Sequence, residues 1–490
     1  MWHLLLHLLI CTLFFTSPFV HSRTTPHSFK TSILDVSASI QNTLNVLSLH
    51  PQTTQLFKAQ QHNLDSIVSA SSKLSMALLP RVSLRGTSHT DYKSLTLARL
   101  ERDSARVRSL STRLDLAINH ISSSDLKPLD NGLEFQAEDL ESPIVSGTSQ
   151  GSGEYFSRIG IGNPPSQVYM VLDTGSDINW LQCAPCSDCY QQADPIFDPA
   201  SSSSYFPLTC DTEQCKSLDE SECRNGTCLY EVSYGDGSYT VGDLVTETII
   251  LGSAKVNNVA IGCGHNNEGL FVGAAGLLGM GGGSLSFPSQ INATTFSYCL
   301  VDRDSDAAST LEFETLLHQN VVSAPLLRNP ELDTFYYLGV TGLSVGGELL
   351  SVSESAFKID ETGNGGIIID SGTAITRLQT DTYKALRDAF VKGAQDLVST
   401  TGVSLFDTCY DLSSKSSVEV PTVTFHFADG KALPLPPKNY LIPVDSNGTF
   451  CLAFAPTTSS LSIIGNAQQQ GTRVSFDLVN SLVGFSPDKC

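Results

Sequence analysis

The 490-residue chain has little charge, and few of its charged residues are basic. Only 16% of its residues are charged, which excludes a disordered chain and a long coiled coil, because both need far more charge. Lysine and arginine number 29 against 50 aspartate and glutamate residues, so the net charge is −21. An acidic chain repels phosphate polyanions, and nucleic acid is therefore not expected as a partner.

Long apolar runs are equally scarce. Residues 4–19 form the one nearly continuous apolar stretch, which is shorter than a membrane span and leads into Val20-His21-Ser22. Small or modest residues at that position suit a signal peptidase. The pattern predicts a signal peptide over residues 1–22 and no membrane anchor, and the alternative is a buried core helix.

The remaining chain joins two compositions. Residues 1–140 carry 13 basic and 11 acidic residues, a net charge of +2, whereas the rest carries 16 and 39, a net charge of −23. Eight of the 11 histidines also lie before residue 121. This contrast predicts a propeptide over residues 23–140, with a cleavage point between 130 and 150, ahead of an acidic mature protein.

A helical pattern within residues 90–120 carries much of the positive charge. Apolar residues recur there at helical intervals, for example at Leu100, Val107, Leu110 and Leu114. A solvated helix face is the simplest interpretation. Beside an acidic mature part we favour a basic segment docked over an acidic cleft, which protonation would release. The arginines concerned are Arg99, Arg102, Arg106, Arg108 and Arg113.

Cysteine is almost confined to the mature part. Removing Cys11 with the signal peptide leaves twelve, an even number that predicts disulfides and an oxidising compartment. A metal cluster at the C-x-x-C-x-x-C run of residues 183–189 is the alternative, but no metal ion or organic cofactor is expected. The predicted disulfide cysteines are Cys183, Cys186, Cys189, Cys210, Cys215, Cys223, Cys228, Cys263, Cys299, Cys409, Cys451 and Cys490. Glycosylation sequons occur at Asn225, Asn292 and Asn447.

From residue 141 onward the pattern is that of a β protein. Short runs rich in Val, Ile, Tyr and Phe are separated by Gly, Pro, Asn and Ser, which predicts a mainly β, all-β-class fold with few short helices. The clearest helix is Thr380–Gly393, starting at a Thr/Asp cap and ending at glycine. Glu231–Thr240 has two alternating arms around Gly-Asp-Gly and predicts a β-hairpin.

Two segments of the mature part repeat one pattern. Val168–Ser176 and Gly366–Thr373 each run as an apolar strand into Asp-Thr/Ser-Gly-Ser/Thr. An apolar pair followed by glycine comes later in each half, at Leu277-Leu278-Gly279 and at Ile463-Ile464-Gly465. One copy alone would indicate an Asx turn that ends a strand. Two complete copies predict a pair of carboxylates brought to one site.

Two carboxylates suit a defined chemistry. Held about 3 Å apart, they cannot both ionise cheaply, so they share one proton. They then supply both the base and the acid that amide hydrolysis by water needs. Asp173 and Asp370 are the predicted catalytic pair, and Gly175 and Gly372 allow the tight turns that would bring them together.

On these motifs the sequence resembles the pepsin-like aspartic proteases, in particular their plant nepenthesin-like branch, over residues 150–490. The resemblance implies a bilobal fold of two β-barrel-like lobes, 141–325 and 326–490, with the active-site cleft between them. It also implies a zymogen that is active in acid. Ser176 and Thr373 would bond the outer carboxylate oxygens, while Thr174 and Ser371 would lock the two loops together.

The resemblance assigns further roles. Tyr234 and Gly235 would belong to a flap over the substrate, with Trp180 packed near the tyrosine. An ordinary hairpin and a core tryptophan are the alternatives. The resemblance also implies six disulfides, paired as Cys183–Cys186, Cys189–Cys263, Cys210–Cys228, Cys215–Cys223, Cys299–Cys490 and Cys409–Cys451.

Two other functions compete with proteolysis by an aspartate pair. A G-x-S-x-G run at Gly147–Gly151 matches a serine-hydrolase motif, but it leads into a strand where that motif needs a helix. The stronger alternative is a catalytically silent inhibitor or binding protein on the same fold, although both aspartate motifs and Tyr234 are complete.

We therefore expect a monomeric aspartic endopeptidase that hydrolyses extended peptide or protein substrates. Its own propeptide would be its intramolecular inhibitor. Entry into the secretory pathway favours the cell exterior, and the vacuole and endoplasmic reticulum are the alternatives.

Overall fold

A computed structural model describes residues 29–48, 74–81, 89–121, 155–234, 238–269, 273–305, 308–314 and 321–487. Within these ranges the predicted fold class is confirmed, because strands predominate and five helices accompany them. No helix in these ranges is both long and apolar enough to cross a bilayer. The predicted signal peptide, the G-x-S-x-G run and the predicted cleavage region lie outside the described residues.

The helices and strands are as follows. The helices are α1 (Val36–Leu47), α2 (Tyr92–Ile118), α3 (Glu213–Lys216), α4 (Phe287–Gln290) and α5 (Thr380–Gly393). The strands before residue 315 are β1 (Thr31–Asp35), β2 (Ser75–Pro80), β3 (Tyr155–Ile161), β4 (Ser166–Asp173), β5 (Trp180–Gln182), β6 (Phe206–Pro207), β7 (Ser221–Arg224), β8 (Thr227–Ser233), β9 (Tyr239–Leu251), β10 (Ala254–Glu268), β11 (Gly276–Gly279), β12 (Thr295–Cys299) and β13 (Ser309–Phe313). Those after residue 320 are β14 (Val322–Leu327), β15 (Tyr337–Leu338), β16 (Val340–Val345), β17 (Glu348–Leu349), β18 (Ile367–Ile369), β19 (Thr376–Gln379), β20 (Val398–Thr400), β21 (Cys409–Asp411), β22 (Ser417–Pro421), β23 (Val423–Phe427), β24 (Ala432–Pro434), β25 (Leu441–Pro443), β26 (Thr449–Leu452), β27 (Phe454–Thr457), β28 (Ser462–Ile464), β29 (Thr472–Asp477) and β30 (Leu482–Pro487).

The N-terminal segment, which we define as the described part of residues 29–121, is built into the sheets of the later chain. Strand β1 pairs antiparallel with β22. Strand β2 lies between β3 and β13, so both of its edges are hydrogen-bonded, and Leu78 at its centre is fully buried. Helix α2 begins at Tyr92, and Asp91 before it is the cap residue. The carboxylate of Asp91 accepts a hydrogen bond from the backbone N–H of Ser94 at 2.9 Å.

Each half of the sequence repeat forms a parallel pair of strands. Strand β4 ends at Asp173 and lies beside β11, with Gly279 opposite the aspartate. Strand β18 ends one residue before Asp370 and lies beside β28, with Ile464 opposite Ile369. The apolar pair of each repeat therefore packs against the strand that carries the aspartate, which explains why the two motifs recur together.

One sheet joins the two halves of the chain. Strand β29 pairs with β12 on one side and with β30 on the other, and β30 pairs with β14. The rings of Phe296 and Phe476 stack on this sheet with centroids 4.4 Å apart, and both side chains are fully buried. Because the two aspartate strands belong to this connected framework, their relative positions are set by buried packing.

Helix α5 has the predicted bounds, Thr380–Gly393. Its predicted Thr/Asp cap is wrong, since Gln379 occupies the cap position and no side chain caps the helix. The reason is that strand β19 runs directly into the helix. Burial of Leu386 and Phe390 against the sheet holds the helix in place.

The cysteine pairing largely differs from the expected one. Four expected disulfides are wrong. Parallel pairing of β5 with β10 brings Cys183 beside Cys263, and Cys186 then pairs with its near neighbour. Antiparallel pairing of β7 with β8 puts Cys223 opposite Cys228, and each of these pairs with a cysteine 13 residues before it. Cys299 is disulfide-bonded, but its expected partner Cys490 lies outside the described residues, so that pair stays a prediction. The structure holds Cys183–Cys263, Cys186–Cys189, Cys210–Cys223, Cys215–Cys228 and the expected Cys409–Cys451, in place of Cys183–Cys186, Cys189–Cys263, Cys210–Cys228 and Cys215–Cys223.

Candidate active site

The loop after β4 holds the carboxylate of Asp173 with its own groups. The backbone N–H of Gly175 donates to Asp173 Oδ1 at 3.0 Å, and Ser176 Oγ donates to Oδ2 at 2.6 Å. The aspartate is only 2% exposed. A buried carboxylate is stable only when donors satisfy it, and this loop supplies one donor to each oxygen.

The loop after β18 repeats this geometry around Asp370. The backbone N–H of Gly372 donates to Asp370 Oδ1 at 3.2 Å, and Thr373 Oγ1 donates to Oδ2 at 2.7 Å. Asp370 is fully buried. The repeat seen in the sequence is therefore also a repeat of hydrogen bonds.

Side chains between the two loops join them. The backbone N–H of Ser371 donates to Thr174 Oγ1 at 2.8 Å, and the hydroxyl oxygens of these two residues lie 3.2 Å apart. Thr174 Oγ1 also lies 3.2 Å from Asp370 Oδ1, the carboxylate of the opposite loop. The structure thus brings Thr174 and Ser371 into direct contact, which couples the position of one aspartate to that of the other.

Two glycines allow the backbone to approach these loops closely. A Cβ atom on Gly279 would lie 2.3 Å from the carbonyl oxygen of Asp177. A Cβ atom on Gly465 would lie 2.8 Å from the carbonyl oxygen of Ala374. Since any side chain would collide there, glycine is required at the end of each apolar pair.

The guanidinium group of Arg106, from α2, lies between the two carboxylates. Its Nη1 donates to Asp173 Oδ2 at 2.8 Å, and its Nε donates to Asp370 Oδ2 at 3.3 Å. Its Nη2 donates to Oδ1 of both aspartates. Because one nitrogen atom bonds both carboxylates, the two side chains face a common point.

Helix α2 makes charged contacts at both ends as well. Near its start, Arg99 Nη1 lies 2.7 Å from Asp304 Oδ1, and the hydroxyl of Tyr92 donates to the same carboxylate. Near its end, Arg113 Nη2 lies 3.5 Å from Asp177 Oδ2. Arg108 is exposed, whereas Arg102 is buried. The arginines predicted as one basic cluster therefore differ in their surroundings.

Sequence reasoning missed one acidic residue of this helix. Of the three acidic residues in α2, only Asp103 is buried. Its Oδ1 accepts from the backbone N–H groups of Ala374 and Ile375, and its Oδ2 accepts from Arg377 Nη2 at 2.6 Å. Its spacing of three residues from Arg106, which puts both on one helix face, was the available signal.

The pKa values of the buried acids shift in both directions. Burial raises the pKa of Asp370, but the charge of Arg106 and the hydrogen bonds to the carboxylate outweigh burial and hold that pKa below its ordinary value. The pKa of Asp304 is lowered in the same way, with neighbouring arginines outweighing burial. For Asp103, burial outweighs the charge of Arg377, and the pKa is raised.

The predicted hairpin stands beside this site. Strands β8 and β9 pair antiparallel, and Tyr234 follows β8 directly. The indole Nε1 of the fully buried Trp180 donates to the hydroxyl of Tyr234 at 2.9 Å. A cavity of about 390 Å³ opens between α2 and the hairpin, lined in part by Arg106, Gly175 and Tyr234. Gly235 lies outside the described residues.

The three predicted glycosylation sequons are accessible. Asn225, Asn292 and Asn447 are all exposed, so a glycan on any of them would extend into solvent. None of the three lies in the aspartate loops.

Comparisons with known proteins identify the family. A family model described as xylanase inhibitor N-terminal matches residues 155–313, and one described as xylanase inhibitor C-terminal matches residues 335–487. Solved structures of conglutin gamma from lupine seeds and of basic 7S globulin from soybean match with TM-scores of 0.55 and 0.54. The conglutin gamma match covers 68% of this chain and 91% of its own chain, at 22% identity. The basic 7S globulin match covers 69% of this chain and 94% of its own chain, at 19% identity. At such identities they show the fold alone, which is the predicted bilobal pepsin-like fold.

The chain belongs to the pepsin-like aspartic proteases, in their plant nepenthesin-like branch, and its enzyme class is that of the aspartic-type endopeptidases. Among its relatives, Protein ASPARTIC PROTEASE IN GUARD CELL 2 of Arabidopsis thaliana is 48% identical over 86% of this chain and 88% of its own. Aspartyl protease family protein 2 of Arabidopsis thaliana is 54% identical over 80% of this chain and 81% of its own. Aspartic proteinase nepenthesin-1 of Nepenthes gracilis is 41% identical over 71% of this chain and 81% of its own.

Proposed function

We propose that the chain is the zymogen of a secreted aspartic endopeptidase in which Asp173 and Asp370 activate a water molecule. The observation that carries the proposal is the contact of both carboxylates with one nitrogen of Arg106. Once Arg106 leaves, a water molecule at the same point would be within reach of both aspartates.

The reaction then follows from one shared proton. The ionised member of the pair accepts a proton from the water, which attacks the peptide carbonyl. The protonated member supplies a proton to the leaving nitrogen. The two carboxylates share this one proton, so neither Asp173 nor Asp370 is assigned as acid or base in the resting enzyme. Because the pair needs one proton, activity requires acidic solution.

Helix α2 would keep the full chain inactive. Arg106 neutralises both aspartates, takes the place of the attacking water and fills the cleft where a peptide must lie. The N-terminal segment is anchored by β1 and β2 in the sheets as well as by α2. Removal of this segment is therefore the activating step in the proposed function.

Secretion is part of the proposal. The apolar run of residues 4–19 supports entry into the secretory pathway, and five disulfides among the described residues suit an oxidising compartment. The cell exterior is the proposed destination. Expression of the full coding sequence in plant cells, followed by detection of the protein in the extracellular fluid, tests it against retention in the vacuole or endoplasmic reticulum.

Digestion of a peptide library by acid-treated protein, with and without pepstatin, tests the catalytic part. We expect cuts that pepstatin abolishes, and a loss of at least about a hundredfold in kcat/KM for Asp173→Asn and for Asp370→Asn. The matched control is Asp396→Asn, since Asp396 is an exposed aspartate outside the site. Full activity of Asp370→Asn would refute the pair. A folded, acid-treated wild type that cuts no peptide would favour the silent inhibitor instead.

A further inference from the structure

Arg377 is a buried arginine whose acidic partner comes from the N-terminal segment. Its side chain is 5% exposed. Its Nη1 donates to the backbone carbonyl of Ile375 at 2.9 Å, and its Nη2 donates to Asp103 Oδ2 at 2.6 Å. Within the part of the chain that the structure describes, Asp103 is the one carboxylate in an ion pair with Arg377.

Three donors converge on the Asp103 carboxylate. Besides Arg377, the backbone N–H groups of Ala374 and Ile375 donate to it, and these residues directly follow the loop of Asp370. Strand β19, which carries Arg377, pairs with β27 and β28 of the later chain. The three donors therefore belong to the enzyme itself and stay in place when α2 leaves.

The departure of α2 would leave these donors without their acceptor. Hydrogen bonds between a charged donor and a carboxylate are among the strongest in proteins, and an unpaired donor in a partly buried site is costly. A substrate carboxylate that enters the cleft would restore all three bonds. A neutral side chain of the same size would restore fewer of them.

The distance from the aspartate pair follows from helix geometry. Asp103 and Arg106 are three residues apart in α2, so their side chains are neighbours about 5–6 Å apart at Cβ. Arg106 marks the position of the attacking water. In an extended peptide, two residues span about 6.6 Å. A substrate side chain that replaces Asp103 would thus belong to a residue about two positions from the cut bond.

We infer that Arg377 and the backbone N–H groups of Ala374 and Ile375 form a specificity site for an acidic side chain of the substrate, about two residues from the cut bond. In the full chain, Asp103 occupies this site. The inference rests on the proposed function, because α2 must first leave the cleft. It narrows the substrate class to peptides with aspartate or glutamate near the cleavage point.

Paired peptides test the site in the acid-activated enzyme. The two members of each pair differ only by Glu against Gln, placed in turn at each of the positions flanking the cut bond. At about pH 5.5, where glutamate is ionised, kcat/KM should favour the Glu peptide about ten- to a hundredfold at one position. The preference should fade below about pH 4, because the substrate carboxylate is then protonated.

Substitution of the arginine gives the second test. Arg377→Met should bring the Glu to Gln ratio close to one. Arg387→Met is the matched control, because Arg387 pairs with Asp388 and Asp407 at the surface of α5, and it should keep the wild-type ratio. A ratio unchanged by Arg377→Met would overturn the inference. If that variant does not fold, the wild-type ratio and its pH dependence still decide.

The outcomes for the two proposals are distinct. Wild-type enzyme that cuts Glu and Gln peptides equally well at every position overturns the specificity site but leaves the aspartate pair intact. Enzyme that cuts neither series refutes the proposed function, and the specificity site fails with it.

Discussion

Replacing Arg106 by methionine should remove most of the latency of the full chain. Methionine keeps much of the apolar stem but donates no hydrogen bond, so both aspartates would stay buried under α2 without a cation. Breaking a buried ion pair on one side costs about 3–5 kcal/mol. That cost falls on the docked state alone, because the carboxylates regain water once α2 leaves. The docking equilibrium should therefore weaken by about a hundredfold to several thousandfold.

The assay is the initial rate of hydrolysis of a quenched fluorescent peptide by the intact chain, at about pH 3.5 and before self-processing. A gel of the same samples shows that the chain is still intact. Wild type should show a lag, whereas Arg106→Met should hydrolyse the peptide at once. After full acid activation both proteins should reach the same rate, because the predicted cleavage between residues 130 and 150 removes position 106.

Arg108→Met is the control, since Arg108 lies on the same helix but is exposed. It should keep the wild-type lag. If Arg106→Met also keeps that lag, while its activated form is fully active, Arg106 does not hold the cleft closed and the reasoning from its four hydrogen bonds fails.

Three further outcomes follow from the buried contacts. Release of the N-terminal segment should need a pH below about 4. The pKa of Asp370 is lowered in the docked state, so Asp370 stabilises docking above its ordinary pKa, and this stabilisation is lost in acid. The pKa of Asp103 is raised in the docked state, so protonation of Asp103 favours docking as the pH begins to fall. Size-exclusion chromatography of cleaved protein at stepped pH measures this, and release at pH 6 would contradict it. The double variant Cys409→Ala/Cys451→Ala, which opens a loop with a sequence separation of 42, should lower the free energy of unfolding by about 3–4 kcal/mol in denaturant titrations. Leu78→Ala in β2 should lower the free energy of docking of the N-terminal segment by about 2–5 kcal/mol, so that the segment is released at a higher pH. Leu97→Ala is the control, because Leu97 is an exposed leucine of α2, and it should leave the release pH unchanged.

The aspartate loops were predictable because their information is local. Each motif places a glycine and a hydroxyl within three residues of its aspartate, and the structure uses these same groups as donors to Asp173 and Asp370. The bounds of the helix Thr380–Gly393 also follow from a local pattern, although its cap does not, because strand β19 runs directly into the helix. In the aspartate loops, both partners of each contact lie within one turn, and there the pattern is sufficient.

Contacts between distant residues were not predictable in this way. The disulfides depend on strand register, and the parallel pairing of β5 with β10, which puts Cys183 beside Cys263, leaves no trace in cysteine spacing. Strand β2 is another case, because its partners β3 and β13 lie far along the chain. The ion pair of Asp103 with Arg377 joins residues separated by 274 positions.

The charge pattern of α2 explains more than the net charges do. An attraction between a basic helix and an acidic cleft has long range and would tolerate several positions of the helix. A buried acid three residues before a buried base does not tolerate them. A shift by one turn in one direction would bring Arg106 towards Arg377, and a shift in the other direction would bring Asp103 towards the two aspartates. The alternation of Asp103 and Arg106 against Arg377 and Asp370 therefore sets the register in which the guanidinium reaches both carboxylates. Overall charge draws the segment to the cleft, and the Asp103–Arg377 ion pair fixes the position of α2 together with the contacts of Arg99 and Arg113.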